Sequence, residues 1–309
     1  MKPVAITLGD PAGIGPEVVL KAIEDLNAPI WLFGCRKLAE QSWAVPPNVR
    51  FRDVRRKPPE LRFGEVSADF GRIALDSIDE AVTAIERGEC GALVTAPINK
   101  QSIALAGCPF PGHTELLAAR AGLQRYAYDY AMYFDSPLIR TVLLTVHVPL
   151  AEAILSIDPD AIAALAALTT RWYSRMYGQA PRIRVAAVNP HAGEGGRFGT
   201  EEKAILEGVE KARSRGMIID GPASADTAFL AARERKYDVI MSMYHDQGLI
   251  AVKTLDFEHS VNVTIGLPYL RCSVDHGTAF DIAGKRIADA RPMRYAIEWA
   301  VSHAARLEP

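Results

Sequence analysis

Three histidines carry the strongest chemical signal in the chain. His147, His191 and His245 each fall just after a short apolar, β-branched run, where a strand gives way to a polar loop. Imidazoles presented on separate loops at one end of a sheet can converge on a single divalent ion. The bland alternative, a capped loop or a satisfied buried imidazole, stays open at each position, because the spacing is no compact motif such as H-E-x-x-H. Around His191 runs Asn189-Pro190-His191-Ala192-Gly193-Glu194-Gly195-Gly196-Arg197-Phe198-Gly199-Thr200-Glu201-Glu202. Its glycines permit close backbone approach to a ligand. Gly195 and Gly196 are therefore candidate cofactor contacts, and Thr200 is a candidate N-cap for the helix that follows, whose N-terminus could hold an anion. The spacing is neither the dinucleotide G-x-G-x-x-G nor a phosphate-binding Walker loop.

A second group suits an anionic substrate. His113 and Thr114, in Gly112-His113-Thr114-Glu115, could donate to a phosphate or carboxylate, although Thr114 could equally cap a helix. Lys253, Asn262 and Arg271 are separated donors that would suit a phosphate if gathered, arginine binding it through both arms of its fork. Each alone reads equally well as a solvated surface residue. Asp226 is a natural N-cap that could also assist a base or touch a cofactor. Asp10, in Gly9-Asp10-Pro11-Ala12-Gly13-Ile14-Gly15-Pro16-Glu17, could orient a site residue from behind.

These residues need a scaffold that collects loop ends. Strand-like runs occupy residues 4–8, 30–34, 92–95, 139–146, 183–188, 239–243 and 261–265. Helical patterns occupy 16–24, 73–87, 159–177, 200–215, 225–235 and 292–305. Such alternation predicts an α/β protein with a largely parallel sheet, whose ligands bind beyond the carboxyl ends of the strands. The basic, proline-rich stretch 46–59 reads as a surface connection.

Composition limits the function classes. The 309 residues allow a large core and one or two lobes. A formal net charge of −2 gives no general attraction to nucleic acid or an anionic membrane. Cys35, Cys90, Cys108 and Cys272 form no C-x-x-C pair, so they are expected to be incidental thiols in a reducing compartment. No run approaches the ~20 apolar residues that span a bilayer. Residues 1–7 run straight into Gly9-Asp10-Pro11, leaving no room for a signal peptide, and the expected location is the cytoplasm.

Taken together, the Gly9–Glu17, Gly112–Glu115 and Asn189–Glu202 segments, with Tyr244-His245-Asp246-Gln247-Gly248-Leu249 and Ser273-Val274-Asp275-His276-Gly277-Thr278-Ala279, resemble the 4-hydroxythreonine-4-phosphate dehydrogenase family of pyridoxal phosphate biosynthesis. The resemblance runs through essentially the whole chain, in order. It implies a three-layer α/β/α fold like that of isocitrate and isopropylmalate dehydrogenases, built as one catalytic unit of two packed lobes with a cleft between them. It implies a homodimer with the active site at the interface, NAD or NADP, and one divalent metal (zinc, cobalt, magnesium or manganese). By motif match, His147, His191 and His245 take the metal positions, with His245 supplied by the partner subunit. His113, Thr114, Lys253, Asn262 and Arg271 take the substrate positions. His276 matches a motif residue but no ligand position.

The reaction so implied oxidises 4-hydroxythreonine-4-phosphate at C3, with Lys253 or a water taking the proton and Asp226 assisting. Decarboxylation to 3-amino-2-oxopropyl phosphate follows. Relatives that act on D-threonate or D-erythronate 4-phosphate supply an alternative substrate, and one that acts on an aromatic cis-diol carboxylate is disfavoured by the complete phosphate-type set. The chain departs from many relatives at Leu144-Thr145-Val146-His147, where a second threonine is expected near the histidine. Two other classes fit the residues less well: a metal-dependent phosphohydrolase, which would usually add metal-binding carboxylates, and a non-catalytic metabolite-binding protein.

Overall fold

A computed structural model describes residues 2–54 and 57–306. Residues 55 and 56 of the basic stretch, and Met1 at the N-terminus, lie outside the described residues. The chain divides into two compact units, one formed by residues 1–121 and 268–309, the other by Gly122–Leu267.

The first unit opens with β1 (Val4–Thr7), α1 (Gly15–Ala22), β2 (Ile30–Gly34), α2 (Arg36–Ser42), β3 (Arg50–Asp53), α3 (Ala68–Glu86), β4 (Ala92–Thr95), α4 (Lys100–Leu105) and α5 (His113–Arg120). The second contains β5 (Ala131–Asp135), β6 (Arg140–Leu143), α6 (Leu150–Leu155), α7 (Pro159–Tyr177), β7 (Ile183–Ala186), α8 (Glu202–Ser214), β8 (Ile219–Ala223), α9 (Ala225–Arg233), β9 (Val239–Ser242), α10 (His245–Asp256) and β10 (Val261–Ile265). The chain then returns to the first unit as β11 (Leu270–Ser273) and α11 (Arg291–Ala304).

In the first unit the strands lie in the order β3-β2-β1-β4-β11, all parallel. β1 and β4 are buried throughout, as continuous apolar strands covered on both faces must be. Helices α3 and α11 pack on them. In the second unit the order is β10-β5-β6-β9-β7-β8. β6, β9, β7 and β8 are parallel, but β5 runs antiparallel to both β10 and β6. Residues 136–139 explain the reversal. They are too few for a crossover, so β5 and β6 form a hairpin. Ser136 Oγ pins its turn by accepting from the backbone N–H groups of Leu138 and Ile139 at 3.2 and 3.1 Å.

The basic stretch 46–59 is more than a connection, because its residues 50–53 pair with β2 as the edge strand β3. Arg50 stacks on Trp31 there with its guanidinium 3.7 Å from the ring centre. Among the described residues, no helix is long and apolar enough to cross a membrane.

Candidate active site

The histidine positions are built by strand ends of the second unit. After β6, Leu144 N–H donates to the Ser242 carbonyl at 2.8 Å and Thr145 Oγ1 to the Met243 carbonyl at 2.8 Å, so the chain leaving β6 is tied to β9. Gln247 extends the clamp: its Oε1 accepts from Met243 N–H at 2.7 Å while its Nε2 donates to the Ala187 carbonyl beyond β7 at 2.7 Å. Gly248 lets α10 lie close to the sheet, since a Cβ there would sit 2.7 Å from Leu143 Cδ2. On this frame the rings of His147 and His245 face each other with centroids 5.6 Å apart. His245 Nδ1 stands 2.6 Å from Asp246 Oδ1, an arrangement that fixes the ring and leaves Nε2 for another partner. A cavity of about 200 Å³ opens beside them, lined by residues 145–148, Leu150, Tyr244, His245 and Asp246. His147 adopts the left-handed backbone region at φ 33°, a conformation non-glycine residues adopt only where surroundings enforce it.

His191 lies in a different setting. From His191 to Gly195 five successive residues have left-handed dihedrals, with φ between 44° and 77°. Three of them carry side chains, at a cost of ~1–2 kcal/mol each. The turn is held from outside: buried Glu202 accepts from Asn189 N–H at 2.8 Å and from Asn189 Nδ2 at 3.0 Å. Gly193 must be glycine, because a Cβ would lie 2.8 Å from Glu202 Oε2. Among the described residues no group of three or more His, Cys, Asp or Glu is gathered for a metal. A single chain thus brings together His147 and His245 but does not add His191 to them, and His245 stands beside His147 in the same chain. These nitrogens suit zinc or cobalt in kind, with the Asp246 contact as the usual support, and they fit part of such a centre.

In the first unit, Arg271 on β11 is 2% exposed, yet it carries a guanidinium, which donates to Thr95 Oγ1 at 2.7 Å. Burial holds its pKa down to about 10. His113 and the buried Thr114 begin α5. Burial, reinforced by the charge of Arg271, keeps the His113 imidazole neutral well below the ordinary histidine range, and its buried Nε2 has no hydrogen-bond partner. A buried cation beside an idle imidazole nitrogen and a hydroxyl is chemistry for an anion. Asp10 is buried in the loop after β1, where desolvation raises its pKa and its Oδ1 accepts from Ala12 N–H at 2.9 Å. Gly9, at φ 71°, makes that loop possible, because a Cβ would fall 2.1 Å from the Pro97 carbonyl oxygen.

Residues 13–300 match the family model of the pyridoxal phosphate biosynthetic protein PdxA. The chain belongs to this family. It is 40% identical over 331 residues to the 4-hydroxythreonine-4-phosphate dehydrogenase of Desulfosudis oleivorans, covering 98% of this chain and 96% of that one. It is 39% identical over 328 residues to the D-threonate 4-phosphate dehydrogenase of Salmonella typhimurium, covering 98% and 99%. The crystal structure of 4-hydroxythreonine-4-phosphate dehydrogenase from Klebsiella pneumoniae superimposes with a TM-score of 0.90 at 36% identity, covering 98% of each chain. The expected α/β fold with flanking helices is that of the PdxA structures.

The remaining expected site residues of this PdxA-family chain lie on several elements of the second unit. Asn262 on β10 is 8% exposed, and its Oδ1 is buried without a partner. Lys253 is exposed on α10, with Nζ 6.0 Å from the centre of the Phe257 ring. Gly195 and Gly196 line a cavity of about 310 Å³ together with Thr200, Lys203 and Pro222. Asp226 is not the cap of α9. Ser224 holds that position, and its hydroxyl donates to Asp226 Oδ1 at 2.6 Å. This bond, with a smaller contribution from His191, holds the Asp226 carboxyl below the usual range. Nor does Thr200 cap α8, which begins only at Glu202 because the Glu201 and Glu202 carboxylates turn back onto Asn189. Gly112, not Thr114, precedes α5. Thr95, Asp246 and Gln247 went unassigned in the sequence. Thr95 ends β4, and only the buried arginine that donates to it gives it meaning.

Proposed function

We propose that the protein is an NAD(P)- and divalent-metal-dependent dehydrogenase that oxidises C3 of 4-hydroxythreonine-4-phosphate and releases carbon dioxide, leaving 3-amino-2-oxopropyl phosphate. The observation that carries this reading is the buried Arg271 with the idle Nε2 of His113. A buried guanidinium with an idle imidazole nitrogen beside it offers donors to an anion.

Arg271, Thr114 and His113 hold the phosphate, and Asn262, whose buried Oδ1 lacks a partner, joins them in fixing the substrate. His147, His191 and His245 hold the metal, with one of them supplied by a partner subunit. The exposed apolar side chains of Val148 before α6, Leu150 and Leu155 on α6, and Ile250 on α10 support a second copy of the chain against the second unit. Held there, a divalent metal would supply stabilisation of negative charge at the substrate hydroxyl, and a bound nicotinamide would supply the hydride acceptor for C3. Lys253 or a water takes the hydroxyl proton, assisted by Asp226. Gly195 and Gly196 allow the cofactor close to the backbone, and Asp226 borders it. The reaction takes place in the cytoplasm.

Oxidation of D-threonate or D-erythronate 4-phosphate is the second reading. It draws on the D-threonate 4-phosphate dehydrogenase of Salmonella typhimurium, which matches at nearly the same identity. The residues named above recognise the phosphate and the hydroxyl, which all three substrates share. Reduced-nicotinamide absorbance decides: protein, NAD or NADP and a divalent metal are mixed with each substrate. A metal-dependent rise greatest with 4-hydroxythreonine-4-phosphate is expected. A rise chiefly with a sugar-acid phosphate would transfer the protein to the second reading, and silence with all three would remove the dehydrogenase assignment.

A further inference from the structure

The second unit contains a cavity of about 530 Å³ that the reaction above does not use. Arg140, Tyr173, Arg182, Arg235, Tyr237 and Asp238 line it. Arg140 opens β6, Arg182 immediately precedes β7, and Asp238 immediately precedes β9. His147, His191 and His245 follow the carboxyl ends of these same strands. Each strand has four residues, which separates the two ends by ~13 Å before the loops are counted. The cavity and the three histidine positions therefore lie at opposite ends of the strands of the second unit.

Its charges do not cancel. Arg140 is neutralised by Asp135, 3.2 Å away, and Arg182 by Asp238, which it meets through Nε and Nη2 at 3.0 and 3.1 Å. Arg235 forms no ion pair or side-chain hydrogen bond with the described residues, so its positive charge is in surplus. Its backbone is held in the left-handed region at φ 58°, with its carbonyl accepting from Arg182 Nη2 at 2.8 Å. The aromatic walls are fixed as well. The Tyr237 hydroxyl donates to Asp220 at 2.5 Å and accepts from Arg184 at 2.9 Å, and the Tyr173 ring packs on Tyr177 with centroids 4.4 Å apart. Tyr177 in turn donates to the buried Asp135.

A cavity of this size suits a small organic ligand. Flat rigid walls, a surplus guanidinium and the unused donors of two paired ones suit a ring carrying a doubly charged anion. We infer that this cavity is a second ligand site, separate from the active site, for a small aromatic monophosphate. Binding needs no turnover, so the inference stands apart from the dehydrogenase reading.

Calorimetric titration of the full chain with phenyl phosphate tests it, with inorganic phosphate as the comparison and Arg235→Asn as the variant. Asparagine tolerates the left-handed backbone, so the fold is preserved. Phenyl phosphate is expected to bind at least tenfold tighter than inorganic phosphate at one class of site. Arg235→Asn should weaken that class at least tenfold while leaving KM for the phosphorylated substrate unchanged, and Arg271→Met should leave it intact. Binding that is lost in Arg271→Met but unaffected by Arg235→Asn, equal affinity for the two phosphates, or no binding would each overturn the inference.

Discussion

Replacing Arg271 by methionine separates what the residue does for substrate from what it does for the fold. Methionine keeps most of the side-chain volume and removes the charge and its donors. In the free protein the guanidinium is 2% exposed, and burial lowers its pKa from 12.5 to about 10. That depression is a cost of about 3 kcal/mol for holding the charge in this environment. Against it stands the hydrogen bond to Thr95 at 2.7 Å, which contributes about 1.5–3 kcal/mol because the donor is charged. The two are of similar size. The free variant should therefore unfold in urea at a stability within about 2 kcal/mol of the parent, on either side. Phosphate binding has no such cancellation. Loss of both arms of the fork removes about 3–6 kcal/mol of charge-assisted contact, which corresponds to a fall of ~10²–10⁴ in kcat/KM for the phosphorylated substrate. The loss should appear mainly in KM, and a dephosphorylated analogue should be turned over equally poorly by both proteins. An unchanged KM, or a variant destabilised by well over 3 kcal/mol, would show that Arg271 is a structural cation and would refute the anion-site reasoning.

Other substitutions and reagents report on the rest of the molecule. His191→Ala is expected to abolish metal-dependent turnover while circular dichroism stays native; full activity after metal is stripped would dismiss the metal role. Native protein should expose to a thiol reagent at pH 8 at most Cys108, which is half-buried, whereas denatured protein should expose all four cysteines. Burial raises the Cys90 and Cys272 thiols to about 11 and about 12, so the contribution of these thiols to stability is fully present below pH 9 and is lost as pH rises from there through those values; a flat alkaline stability profile would contradict this. Tyr177→Phe removes a hydroxyl bonded to buried Asp135, and urea unfolding should reveal a loss of about 1.5–3 kcal/mol.

What the sequence could and could not reveal follows from how each element is stabilised. β2 and β4 coincide with their apolar runs because a strand buried on both faces leaves a continuous hydrophobic trace, and β10 coincides with its run through the β-branched Val261, Val263, Thr264 and Ile265. β3 was missed because it is an edge strand whose arginines lie on aromatic rings instead of alternating with apolar residues. β8 was missed because Gly221 and Pro222 interrupt it where its register with β7 shifts. β11 was missed for a more informative reason. Its sequence, Leu270-Arg271-Cys272-Ser273, looks half-polar, yet every residue in it is buried. A strand that buries an arginine departs from the hydrophobic rule at the position where the anion chemistry requires it. The same logic applies to the histidines. Their places after strand ends were legible, but the left-handed backbone at His147 and His191 was not, since neither residue type predicts it. Strain of this kind persists only where neighbours hold it, and those neighbours are Gln247, Thr145, Asn189 and Glu202. The sequence displays the reactive groups, whereas the residues that force them into strained positions become recognisable only through their hydrogen bonds.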